Sequence, residues 1–189
     1  MPRPAWPDDR DATGLPAGLS RLKRRGKTTA AEHLASLAKD PAFLAMRARK
    51  EAELAAFAAT FADEEALIAG EAAAVGYQIE SVWDFVNNRA DPILKPKFTG
   101  SYERAYPLLV RHLAVKHHPR VREGIVRALT VKDGGEAVWA ALLQQLRTEP
   151  DPALKWVLAN ALRTAMPYKV RRKHPEIAAT YRETAGTRM

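Results

Sequence analysis

Eight cationic or imidazole side chains crowd one short stretch of the chain: Arg111, Lys116, His117, His118, Arg120, Arg122, Arg127 and Lys132. Guanidinium and ammonium groups at this density would neutralise a run of phosphates, each contact adding a salt-dependent gain. The same density also describes an ordinary solvated helix face. His117 and His118 offer ring nitrogens to a metal. Adjacent histidines on a turn need a spaced third ligand, however, and only His112 lies nearby in a chain without cysteine. The reading is no metal and no cofactor. Trp83-Asp84 sets a carboxylate beside an indole. By its residues the pair reads as a core tryptophan and a solvated helix-start aspartate favoured by the macrodipole. Gly26-Lys27-Thr28 ends like a phosphate loop, but Arg21 stands where its first glycine is required and no strand precedes it. No Ser–His–Asp order, carboxylate pair or glycine-rich cradle can be assembled, which points away from an enzyme.

Three of these cations, Arg120, Arg122 and Arg127, sit on an element that the chain writes twice. Pro119-Arg-Val-Arg-Glu-Gly-Ile-Val-Arg-Ala-Leu129 returns 33 residues later as Pro152-Ala-Leu-Lys-Trp-Val-Leu-Ala-Asn-Ala-Leu162. Val121 matches Leu154, Arg122 matches Lys155, Ile125 matches Leu158, and Leu129 matches Leu162. The preceding helix, expected over about 102–114, places Ala105, Leu109, Val110 and Leu113 on one stripe. Val138, Leu142, Leu143 and Leu146 repeat it. A period in this range marks stacked helical pairs, in which neighbours bury what one pair leaves open.

Upstream, Thr29-Ala-Ala-Glu32 forms a capping box for a short helix over about 30–39. Asp40-Pro41 opens a long one reaching about Val75, as a single helix or as two with a break near Asp63, and Gly76 caps its end. Ser81 is the expected N-cap of a short helix that turns Val82, Phe85 and Val86 inward. Pro92, Pro96 and Gly100 make residues 90–101 a loop, and Pro175–Tyr181 is expected to form a last helix capping the stack. The domain reading is a basic disordered leader at 1–27, a helical extension at 28–78, a helical-repeat domain at 79–168, and a basic capping helix and tail at 169–189.

Charge follows these divisions. The net charge is +8, but residues 42–91 hold four basic against nine acidic side chains while residues 92–132 hold nine against two. A polarised chain steers partners of opposite sign. The N-terminus lacks an apolar signal core and no run reaches the length of a membrane span, so the expected address is cytoplasmic, with no membrane.

The turn-plus-helix segments His118–Leu129 and Asp151–Leu162 resemble the second helix of a HEAT repeat, whose usual form is Asp-Pro-x-Val-Arg followed by small and apolar residues ending in Ala-Leu. Pro107 sits where first helices of that family bend. The resemblance, to short bacterial members of the Armadillo/HEAT superhelical proteins, covers about residues 102–165. It implies an all-α fold: a short α-α superhelix of two clear repeats, with a long N-terminal helix and helical caps. It also implies a scaffold without catalytic residues of its own. His118 replaces the usual turn aspartate in the first copy, which leaves Asp151 to pair with Arg122 or Lys155. A fainter likeness, to HEAT-like DNA glycosylases, rests on Trp83-Asp84 alone.

The functional expectation is a non-catalytic binding module for a protein partner. Acidic residues Glu51, Glu53, Glu64 and Glu65 would face that partner or a second copy of the chain in a homodimer. The alternative is nucleic-acid binding through the basic face of residues 92–132. Contact residues on either reading are Arg111, Lys116, His117, Arg120, Arg127, Lys132 and Trp156, while Arg122 is read as structural.

Overall fold

The computed structural model describes residues 29–88 and 96–186, and every regular element among them is helical. The leader at 1–27, Pro92 and Lys95 of the connecting loop, and the last three residues lie outside the described residues. No helix among the described residues is long and apolar enough to cross a membrane. The chain divides into two compact units, residues 1–55 and 56–189.

In the first unit, helix α1 (Ala30–Leu37) opens on the expected capping box. The Thr29 hydroxyl accepts from the Glu32 amide at 3.2 Å, and the Glu32 carboxylate accepts from the Thr29 amide at 2.8 Å. The Asp40 carboxylate accepts from the Ala42 amide at 2.9 Å and starts α2 (Pro41–Ala59), whose residues from Ala56 on belong to the second unit; proline costs nothing at this start because its missing N–H would be unpaired anyway. Arg47–Glu51 and Arg49–Glu53 pair along its surface at 2.7 and 2.8 Å.

In the second unit the long helical stretch breaks at Thr60–Phe61, and α3 follows (Ala62–Ala74). It ends in a Schellman arrangement: the Tyr77 amide donates to the Ala72 carbonyl and the Gly76 amide to that of Ala73. Gly76 takes φ +94°, which a side chain would resist. Helix α4 (Trp83–Asn87) has Val82 at its N-cap position rather than the expected Ser81, whose hydroxyl accepts from the Trp83 amide at 3.1 Å. Buried Glu65 braces this turn by accepting from the Val82 amide at 2.7 Å and the Ser81 hydroxyl at 3.0 Å.

The first repeat helix is shorter than its apolar stripe suggests. A 3-10 turn covers Glu103–Ala105, and α5 runs only over Tyr106–Leu113, with Pro107 in its first turn rather than its interior. Proline has no N–H to give and its ring crowds the carbonyl four residues back, so the α-helix starts there instead of bending. Then come α6 (Pro119–Ala128), α7 (Gly135–Thr148), α8 (Pro152–Ala165), the short α9 (Tyr168–Arg171) and α10 (Pro175–Gly186).

Each first helix lies on its own second helix, α5 on α6 and α7 on α8; across the copies α5 lies on α7 and α6 on α8. The matched positions fill the centre: Leu109 with Leu142, Ile125 with Leu158 and Leu129 with Leu162 are all fully buried. Each such side chain contributes about 1.5–3 kcal/mol. Helix α4 covers α6 and α10 covers α8, with Phe85 and Ile177 as their buried anchors.

Arg122 has the structural role expected of it, with a different partner. Asp151 is occupied in capping α8, accepting from the Ala153 amide at 2.9 Å. Arg122 instead reaches Glu149, 2.7 Å away and 2% exposed, and donates to the Gln145 side chain at 3.1 Å.

Candidate functional site

The second helices α6 and α8 run side by side, so the proline turns that start them open onto one groove of about 470 Å³. Pro119, Ala153, Leu154, Val157 and Phe57 supply its apolar lining; Arg120, Arg127, Glu123 and Asp151 supply its charges. Phe57 stands edge-on to the His118 ring at 5.7 Å, and Phe61 stacks on that ring at 4.8 Å.

The two groove arginines are held in place by neighbours. Arg120 lies over the Trp83 indole, its guanidinium carbon 3.6 Å from the ring centroid, and Glu123 stands 3.8 Å from its Nη1. Cation–π attraction helps to fix the group. Arg127 donates to Glu123 at 2.8 Å, one helical turn back. Trp83 can approach α6 this closely because residue 124 is glycine. A Cβ there would stand 2.5 Å from Val82 Cγ1 and 2.9 Å from the indole Nε1.

The remaining basic residues do not join this groove. Arg111 is ion-paired with Glu71 of α3. Lys116 and Lys132 are exposed and form no ion pair with another described residue. Trp156 stacks on Tyr181 of α10, ring centroids 6.2 Å apart. His117 requires correction, because it turns inward and is 9% exposed. Its Nδ1 lies 2.8 Å from Glu64, and its Nε2 lies 3.1 Å from Nδ1 of buried His112. His112 Nε2 in turn lies 3.2 Å from Glu71.

Glu64, His117, His112 and Glu71 thus form a chain, carboxylate to ring to ring to carboxylate. Three hydrogen bonds link the four groups and use all four ring nitrogens. Hydrogen bonds with His112 and then Arg111 hold the Glu71 carboxyl below the usual carboxylate range. The arrangement is linear, and no three of its ligating groups converge on one point. What it does physically is stitch α3 to the turn between α5 and α6, where Glu64 also accepts from the His118 amide at 2.8 Å.

The acidic residues expected to face a partner are likewise engaged within the chain. Glu64 and Glu65 hold the turns just described, and Glu51 and Glu53 pair on α2. Asp84 closes its own turn, accepting from the Glu80 and Ser81 amides at 2.8 and 3.1 Å.

Sequence reasoning missed Phe57, Asp151 and Val157 as groove residues, along with the His112–His117 pair. The histidines lie five apart across a helix end, and their carboxylate partners come from more than 40 residues upstream. No local pattern carries such a link.

Compared with known proteins, the chain matches no protein-family model, no curated protein and no solved structure.

Proposed function

We propose that this chain is a non-catalytic HEAT-like binding module that holds an extended segment of a partner protein in the groove between α6 and α8. The two helix pairs, stacked first on first and second on second, are the build expected of a short α-α superhelix, and α4 and α10 cover its second helices.

The observation that carries the functional reading is the character of the groove. Apolar side chains line it alongside its charges, and its two arginines are matched by two carboxylates, Glu123 and Asp151. A phosphate backbone would meet both carboxylates at close range and gain little. A peptide gains apolar contact from Leu154 and Val157, and hydrogen bonds from arginines already immobilised, so less side-chain entropy is lost on binding. Arg120 on Trp83 is the expected hot spot, since stacked arginines and tryptophans dominate such interfaces.

Ala153 is exposed, lines the groove and has no role in the core. Ala153→Arg should fill the groove and leave the helical circular dichroism unchanged. Wild-type protein purified from its native cells should carry one protein in near-equal amount, and purified Ala153→Arg should bind that protein at least about tenfold more weakly, about 1.4 kcal/mol. Recovery of no stoichiometric protein, or undiminished binding by Ala153→Arg, would sink the reading.

A further inference from the structure

A second groove, of about 410 Å³, lies between the end of α8, α9 and α10. Its walls carry Arg163, Arg171, Arg172 and Arg182 with Tyr168 and Tyr181, and no lining residue bears a carboxylate. Between residues 163 and 182 six lysines and arginines face a single acid, Glu176. That acid is engaged at its own end by Arg147 at 3.0 Å and His174 at 3.3 Å. The four groove arginines form no ion pair with another described residue. Around α5 and α6, by contrast, Arg111, Arg122 and Arg127 each hold a carboxylate. Among the described residues, these four arginines are the largest group of guanidiniums that hold no carboxylate, and they lie outside the stretch where the sequence is most basic.

The aromatic rings are arranged with those cations. Arg163 lies over the Tyr181 ring at 4.1 Å, and Arg171, which donates to the Arg163 carbonyl, lies 5.7 Å from the Tyr168 ring. Tyr168 is 66% exposed and stands in the groove wall. Guanidinium forks match phosphate oxygens in pairs, and an exposed tyrosine offers a face to any base. Acidic peptides would use the arginines and leave the ring idle. A lipid surface would meet a concave groove where it needs a protruding one.

We infer that this C-terminal groove binds single-stranded nucleic acid, the arginines contacting successive phosphates and Tyr168 stacking one base. The site is separate from the peptide groove and does not depend on it.

Fluorescence anisotropy with a labelled oligouridylate of about 12 nucleotides tests it on the full chain. Wild type should bind, with a log–log salt slope of about −2 to −3 for three or four phosphate contacts. Arg172→Glu with Arg182→Glu, both at exposed positions, should lower affinity more than about tenfold and flatten the slope by about 1.4. Tyr168→Ala should lower affinity roughly five- to hundredfold at every salt concentration with the slope unchanged, and Tyr168→Phe should restore it. Lys116→Glu with Lys132→Glu should change affinity by less than about twofold, and Ala153→Arg should leave it unaltered. Absence of binding at low salt overturns the inference. So does equal binding of polyglutamate or anionic vesicles, or an unchanged affinity in Tyr168→Ala, because each reduces the groove to a general anion sink.

Discussion

The two turns that join a first helix to a second meet the same demand with different groups. In the second copy the capping groups are local. Asp151 caps α8, and Glu149 accepts from the Asp151 amide at 3.0 Å while pairing with Arg122 of the neighbouring helix. In the first copy the matching positions are His118 and Lys116, neither of which supplies a carboxylate. The missing acid comes from α3: Glu64 accepts from the His118 amide and from His117, while the His118 ring accepts only a longer bond from the Arg120 amide at 3.2 Å. A repeat can lose its own capping acid when an element outside the repeat delivers one to the same place. The price is that the first copy depends on α3, whereas the second needs only its neighbour.

The largest effect that would break this contrast is at Glu149. Glu149→Ala leaves Arg122, 21% exposed, without its buried counter-charge and should cost about 3 kcal/mol in urea unfolding. Lys116→Ala, 33 residues earlier, should stay within about 0.5 kcal/mol. Equal losses at the two positions would show that the turns are not built differently. Glu64→Ala should follow at about 2 kcal/mol, since it leaves the His118 amide and buried His117 without an acceptor. Glu64→Gln, which keeps an acceptor, should lose less; a full loss in that variant would mean that charge rather than hydrogen bonding holds the turn.

The smallest effect separates the first helices. Tyr102 donates to the Ala128 carbonyl at 2.8 Å and Tyr106 to Asp133 at 2.9 Å, whereas the matching residues in the second copy are Gly135 and Trp139, which do not titrate. Burial, and then the Asp133 charge, push Tyr102 up to about 12. Burial and the bond to Asp133 raise Tyr106 as well. Both folded values lie above the unfolded one of about 10. The stability they contribute is therefore fully present below pH ~10 and is lost as pH rises through the folded values. By about pH 11 the Tyr102 contribution should have fallen by about 1 kcal/mol, and Tyr102→Phe should flatten that part of the profile. A profile that steepens in Tyr102→Phe would reverse the assignment.

How legible each part was depended on the range of the interaction behind it. The capping box at Thr29, the proline start of α2 and the glycine end of α3 each rest on groups within five residues, and the sequence displays them directly. The matched core of α5–α8 was also legible, because a 33-residue repeat of apolar residues states which faces are buried. Pro107 was misplaced by a few residues, since an apolar stripe does not register where the α-helix begins. The groove between α6 and α8 was half visible: Arg120 and Arg127 were evident as charges, while Phe57 and Asp151 reach it from remote segments.

By itself the sequence determined an all-helical chain, its doubled unit and the buried positions of that unit, because local hydrogen bonding and periodicity need no distant partner. Tertiary structure alone decided which charges remain available. Arg111, Arg120, Arg122 and Arg127 each meet a carboxylate, while His117 is drawn inward by Glu64. The arginines around Tyr168 and Tyr181 meet no acid in their groove. Charge density along a chain counts groups, but the field a partner feels depends on which of them are already neutralised across space.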